Sequence, residues 1–239
     1  MRQITLVLAV AAFGALTACD GGGNQAGGGS MTQTSTAAAT ETQASTAGDG
    51  ASCPAGLTMV SGQANIFGAG SDSAPSPGGE SGGVVPPGVQ LPEGSSVVTV
   101  PTITGKVSPM SALVGYSGAG GDGQGATDIT SYGGISGIVD RRNGMFLVGV
   151  FLTDEPPSNS APKRLDFTNR ERFRTLTPDV GQTFFIGDGR GRTFRVPNGA
   201  TRVFLGFADA YSDGHFYQGD PGYYGNNGGH LCVAVKPGA

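Results

Sequence analysis

Tryptophan is missing from this chain of 239 residues, and only 13% of the residues carry charge. There are two histidines and three cysteines. With so few histidines and no thiol pair at ligand spacing, the sequence offers no zinc motif. The net charge of -4 and isoelectric point near 5.0 leave no basic stripe for nucleic acid. No nucleophile elbow precedes a usable histidine, and Ser117–Gly125 lacks the Gly-Lys-Ser/Thr of a phosphate loop. Asp154-Glu155 precedes two prolines and reads as an exposed loop rather than an acid/base pair. The sequence therefore predicts a non-enzyme. Long helices are excluded as well, because 44 glycines and 15 prolines are spread along the chain and glycine costs about 1 kcal/mol per helical position.

What is present is many short runs of Val, Ile, Phe and Thr, bounded by Gly, Pro and Asn. That composition predicts an all-β fold, a β-sandwich of about eight or nine strands. Strands are expected at Ala64–Gly68, Ser96–Lys106, Ser131–Val139, Met145–Leu152, Thr183–Ile186, Thr193–Val196, Arg202–Phe207 and Leu231–Val235. Pro101 marks its strand as an edge or a bulged one. Asn143-Gly144 predicts a hairpin between Ser131–Val139 and Met145–Leu152, and Gly187–Gly191 reads as a second hairpin turn. Ser71–Pro92 reads as a long loop, and the one helix expected is a short one near Arg170–Phe173.

The N-terminus reads as an address. Met1-Arg2-Gln3 is followed by a mainly apolar run, Ile4–Ala18, too short to span a bilayer comfortably and typical of a secretory leader. Leu16-Thr17-Ala18-Cys19 resembles the lipobox of bacterial lipoproteins, which implies a signal peptide at 1–18 and a lipid on Cys19. Asp20 after that cysteine points to retention at the inner membrane, with the outer membrane as the alternative. Residues 19–52 hold Gly, Ser, Thr, Ala and Gln with almost nothing apolar, so a disordered tether is expected. At roughly 5–6 Å × √n, such a linker reaches roughly 30 Å. The folded domain is then 53–239.

With Cys19 assigned to the lipid, Cys53 and Cys232 remain as an even pair in an oxidising compartment, which predicts a disulfide between the two ends of the domain. A loop that long contributes about 4–5 kcal/mol in the chain-entropy picture. Two separate thiols are the alternative.

The C-terminal region carries the candidate chemistry. Asp209 ends one predicted strand, and Asn226 and Asn227 precede the last one. A carboxylate, two amides and glycine-freed carbonyls are the hard-oxygen set that calcium takes, six to eight at a time. The competing reading is that Asp and Asn populate Gly-rich turns for backbone reasons.

From about Ser61 onward the chain resembles a domain of Gly-rich exported bacterial proteins. The pieces are Ala64-Asn65-Ile66-Phe67-Gly68-Ala69-Gly70, Thr127–Ile138, Met145–Leu152, Arg164-Leu165-Asp166-Phe167, Gln182–Gly189 and Phe204–Asp209. That domain is similar to the calcium-dependent galactophilic lectins. The shared features are the Arg195-Val196-Pro197 segment, the strand-ending Asp209, Pro221-Gly222-Tyr223-Tyr224-Gly225-Asn226-Asn227 and the closing strand. The resemblance implies a calcium site formed by Asp209, the Tyr223 carbonyl, Asn226 and Asn227, with a further carbonyl from Lys106–Pro109. It also implies a galactose-like glycan whose vicinal hydroxyls complete the shell, contacted by Asp209, Tyr223, Asn226, Thr130 and Tyr132. Two departures stand out. Eleven residues, Ala210–Asp220, separate Asp209 from the proline, where the lectins have almost none, and Thr130–Gly133 replaces the lectins' sugar-orienting His and Gln. Sugar contacts from the insertion would come from Tyr211, His215, Tyr217 and Tyr223.

The expected function is a calcium-dependent carbohydrate-binding envelope lipoprotein. A structural or adhesive envelope protein whose calcium only stiffens the loop is the alternative, and a loop-built hydrolase is a third.

Overall fold

A computed structural model describes residues 52–123, 125–157, 160–210 and 218–239, which belong to one compact unit, Thr46–Ala239. Its strands are β1 (Thr58–Ser61), β2 (Gly88–Gln90), β3 (Val97–Ser108) and β4 (Thr127–Asp128). They continue with β5 (Ile138–Asp140), β6 (Val148–Leu152), β7 (Leu165–Asp166) and β8 (Thr175–Leu176). The last four are β9 (Phe184–Phe185), β10 (Thr193–Arg195), β11 (Arg202–Gly206) and β12 (Gly228–Gly238). The all-β sandwich expected from composition is the fold. Twelve strands replace the eight or nine expected, because several are only two residues long.

Three sheets result, ordered β1-β12-β3-β10-β8, β2-β11-β6-β9 and β4-β5-β7. The long antiparallel pair β3/β12 is the spine of the first. Along β12, Leu231 and Val233 are fully buried while His230 and Cys232 point to the other face, as the two-residue period of a strand requires. The five- and four-stranded sheets meet through aromatics. Phe184 of β9 lies 4.9 Å from Phe194 of β10 and stacks at 5.1 Å on Phe151 of β6. Every residue of β6 is buried. Fully burying each such ring is worth about 1.5–3 kcal/mol. Gly149 is required there, since a Cβ would stand 2.7 Å from the Phe184 ring.

Local chemistry overturned several expectations. Ala64–Gly68 contains a single 3-10 turn, Ile66–Gly68, rather than a strand. Asn65 is the cause. Its Oδ1 accepts from Phe67 N at 2.9 Å, while its Nδ2 donates to Pro75 O and Gly82 O at 2.8 and 2.9 Å. Asparagine competes with strand pairing in this way. The Asn143-Gly144 hairpin does not form. β5 pairs with β4 and β7, whereas β6 pairs with β11 and β9. Asn143 is buried instead, accepting from Gly123 N at 2.9 Å and donating to Gly120 O at 2.8 Å.

Gly187–Gly191 carries the chain from one sheet to another, since β9 and β10 lie in different sheets. The expected helix near Arg170–Phe173 does not form: a turn ends at Arg170 and the next three residues are irregular. The Ser71–Pro92 loop contains β2. β3 lies between β12 and β10 in strand order, but β10 pairs only with Val97–Thr99, so Pro101 lies past the β10 pairing, on a stretch of β3 whose ladder runs to β12. It also sits where the β3/β12 register shifts between Ala234 and Lys236, the bulge that a missing N–H favours. The disulfide Cys53–Cys232 is present, with Cα atoms 5.5 Å apart.

Candidate metal-binding site

β11 ends at Gly206, and the next residues are fixed by one tyrosine. Tyr224 is fully buried; its hydroxyl donates to Phe207 O at 3.1 Å and accepts from Asp209 N at 2.9 Å. Tyr224 begins a 3-10 turn, Tyr224–Asn226, which delivers Asn227 to the start of β12. Tyr223, at the head of that turn, has the left-handed φ of 67°.

Four segments converge. Asp209 Oδ1 accepts from Ala210 N at 2.8 Å, and its Oδ2 accepts from Asn227 Nδ2 at 2.9 Å. The same Asn227 Nδ2 donates to Gly62 O at 3.2 Å, just past β1. Gln63 Nε2 donates to Gly225 O and Asn227 O at 3.1 and 3.2 Å. Ser111 N and Oγ both donate to Asn226 O, at 3.0 and 3.2 Å.

The electrostatics are those of a site with a surplus of acceptors. Among the described residues, Asn226 Oδ1 and Asn227 Oδ1 are buried with no hydrogen-bond donor. Each such orphan costs about 1–3 kcal/mol. Burial pushes the Asp209 carboxyl up to about 7, against the hydrogen bonds from Asn227 and Ala210, which favour its charged form. Burial, and then the Asp209 charge, hold the Tyr224 hydroxyl well above its ordinary value. No Lys, Arg or His among the described residues forms an ion pair with Asp209. A buried carboxylate with no ion-pair partner among the described residues, bonded to an amide whose own oxygen is orphaned, is a donor set that suits a hard cation such as calcium.

The sequence-predicted residues divide into groups. Asp209 and Asn227 are in direct contact, and Asn226 precedes Asn227 in the chain with its carbonyl held by Ser111. Tyr223 is adjacent in sequence, but its N–H donates to Gly79 O at 3.2 Å. Thr130 is tied to the end of the insertion: its N donates to Gly219 O at 2.8 Å and its Oγ1 to Asp220 Oδ1 at 2.5 Å. Tyr132 is 43% exposed on a turn that bridges to Ile135. Cys19, Tyr211, His215 and Tyr217 lie outside the described residues.

Ser108 pairs with Gly228, so the Lys106–Pro109 segment does border the site. Yet the carbonyl that meets the Asn227 amide is that of Gly62. Gly62, Gln63 and Ser111 carried no signal of their own in the sequence. Tyr224 stood inside the quoted motif as a shared residue with no role assigned to it.

A second buried carboxyl lies apart from this site. Asp140, fully buried at the end of β5, accepts from Arg142 N at 3.1 Å through Oδ1. Burial, and then the neighbouring Glu171 carboxyl, raise it to about 7. Set against known protein families and curated proteins, the chain matches none.

Proposed function

We propose that this protein is a lipid-anchored component of the bacterial cell envelope that binds carbohydrate through calcium. One observation carries the reading: buried Asp209 meets the Asn227 amide, and among the described residues the amide oxygens of Asn227 and of its neighbour Asn226 are buried without donors. A half-turn of the Asn227 amide would exchange its Nδ2 for Oδ1, setting three oxygens together: Asn227 Oδ1, Asp209 Oδ2 and Gly62 O. Asn226 Oδ1 is a further candidate ligand. Calcium would supply positive charge that holds Asp209 ionised, and its remaining positions would accept vicinal hydroxyls of a glycan. The role is one of binding, with no catalytic step. The lipobox-like leader and the polar linker support export and anchoring, on either membrane.

A second reading has its own support. Asn227 cross-links the end of β1 to the end of β11 through Gly62 and Asp209, while Tyr132 makes no described contact with either. Calcium would then brace the loop of a structural or adhesive protein without binding sugar. Thermal melting of the full chain in saturating calcium, with D-galactose and then a panel of other vicinal-diol saccharides, separates the two. A sugar-dependent rise that vanishes in chelator supports the lectin-like reading, because only a ligand of the native state stabilises it. A calcium response with no response to any saccharide leaves the structural reading.

A further inference from the structure

The disulfide has a third partner. The ligand atoms of Cys53, His230 and Cys232 all lie within 4.8 Å of one another. His230 and Cys232 are two apart on β12, so both face away from Leu231 and Val233. Cys53 reaches over that face from the segment before β1. We propose that these three residues form a redox-gated site for a thiophilic metal ion of the zinc class, closed while the disulfide is intact and opened by its reduction.

The scaffold survives the opening of the bond. His230 is paired to Ser61 on one side and Lys106 on the other, and Cys232 likewise to Met59 and Thr104. Both ligands are therefore fixed by backbone ladders that owe nothing to the disulfide. Cys53 stays near because β1 is itself paired to β12 from Thr58 to Ser61. The intervening turn is closed by Leu57 N donating to Pro54 O at 3.1 Å. Cys53 and His230 are only partly buried, which gives reductant and metal an approach.

The chemistry balances with a dithiol reductant. The reductant gives two electrons and two protons to the S–S bond and becomes a disulfide itself; Cys53 and Cys232 become thiols. Zinc then displaces both thiol protons and binds two thiolates at about 2.3 Å and the imidazole at about 2.1 Å. Two sulfurs in a tetrahedral shell stand about 3.8 Å apart, so the sulfurs must part from bonding distance once the disulfide is reduced. Three protein ligands leave a fourth position for water or another ligand. This set of soft and borderline donors is unlike the all-oxygen cluster at Asp209, so the two sites select different metals.

The test uses the full chain carrying Cys19→Ser, so that only Cys53 and Cys232 are counted. Zinc binding to oxidised and reduced protein is measured by competition with a chromophoric chelator, and cobalt serves as a spectroscopic probe. The reduced protein is expected to take one zinc per chain and to show thiolate-to-cobalt charge transfer, and the oxidised protein neither. His230→Ala should weaken zinc binding to the reduced form at least about tenfold, since even outer-shell partners matter that much. Near-ultraviolet circular dichroism reports whether the reduced chain stays folded. Equal zinc binding by oxidised and reduced protein, or by reduced His230→Ala and its parent, would overturn the proposal. So would a reduced chain that unfolds and is not refolded by zinc.

Discussion

Asn227 donates its only described side-chain hydrogen bonds to Asp209 Oδ2 and Gly62 O, and its own Oδ1 is left buried without a donor. The amide nitrogen thus sits between two acceptors, and a half-turn that put Oδ1 in its place would set three oxygens side by side for a cation. Burial without a counter-charge is also what raises Asp209. The orphaned oxygens and the raised carboxyl share one cause, a site with more acceptors than donors.

Asp209→Asn removes the charge while keeping the shape. Calcium-dependent stabilisation should disappear, while stability in chelator at pH 8 should be unchanged or rise by up to about 1 kcal/mol, because a buried unpaired carboxylate is costly. Denaturant titrations with calcium and with chelator measure both. A variant that is destabilised in chelator yet keeps its calcium response would contradict the assignment.

Tyr224→Phe deletes one hydroxyl that bonds Phe207 O and Asp209 N. Asp209 N loses its acceptor, while Phe207 O keeps the bond it accepts from Ile66 N at 3.0 Å, so a loss of about 1–3 kcal/mol is expected for the one orphaned donor. Calcium affinity should fall as well, because the strand end carrying Asp209 loosens. Urea midpoints and calcium titration of the same variant test the two effects.

Asp140 gives the chain a pH dependence of its own. Its folded value of about 7 lies above the ordinary 3.8, so the folded state binds the extra proton. Its contribution is fully present below about pH 4 and is lost as pH rises through about 7. Glu171 and Asp166 beside it act in the same direction. Melting temperatures from pH 5 to pH 8 should therefore fall more steeply in the parent than in Asp140→Asn. Parallel curves would refute this.

Opening Cys53–Cys232, by reduction or by Cys53→Ser, releases a constraint that spans 179 residues. A loss of about 2–5 kcal/mol is expected, read as a lower denaturant midpoint. The β3/β12 ladder should hold the fold through this loss, with far-ultraviolet circular dichroism little changed.

The fold class was legible because Gly, Pro and the short β-branched runs act locally. β3, β6, β9, β10, β11 and β12 all fall on runs that read as strands. What failed was pairing. Asn143-Gly144 carries a hairpin signal, but its side chain is drawn to Gly120 and Gly123, more than fifteen residues upstream, and sequence spacing does not reveal such a contact. Asn65 failed for the same reason: its three side-chain hydrogen bonds include Pro75 and Gly82. Asp209 and Asn227 were legible as polar residues at strand ends, and they meet in the fold. Gly62 was not, because a backbone carbonyl has no residue signature. Thr130, expected at the sugar, donates its hydroxyl to Asp220, a residue of the insertion with no counterpart in the resemblance.

The most direct test is calorimetric melting of the full chain in calcium and in chelator. The account predicts a melting temperature higher by about 5 °C or more in saturating calcium, the size expected when ligand stands near a hundredfold above its dissociation constant. The rise should be absent in Asp209→Asn. Identical melting with and without calcium would contradict the metal site and, with it, calcium-dependent glycan binding.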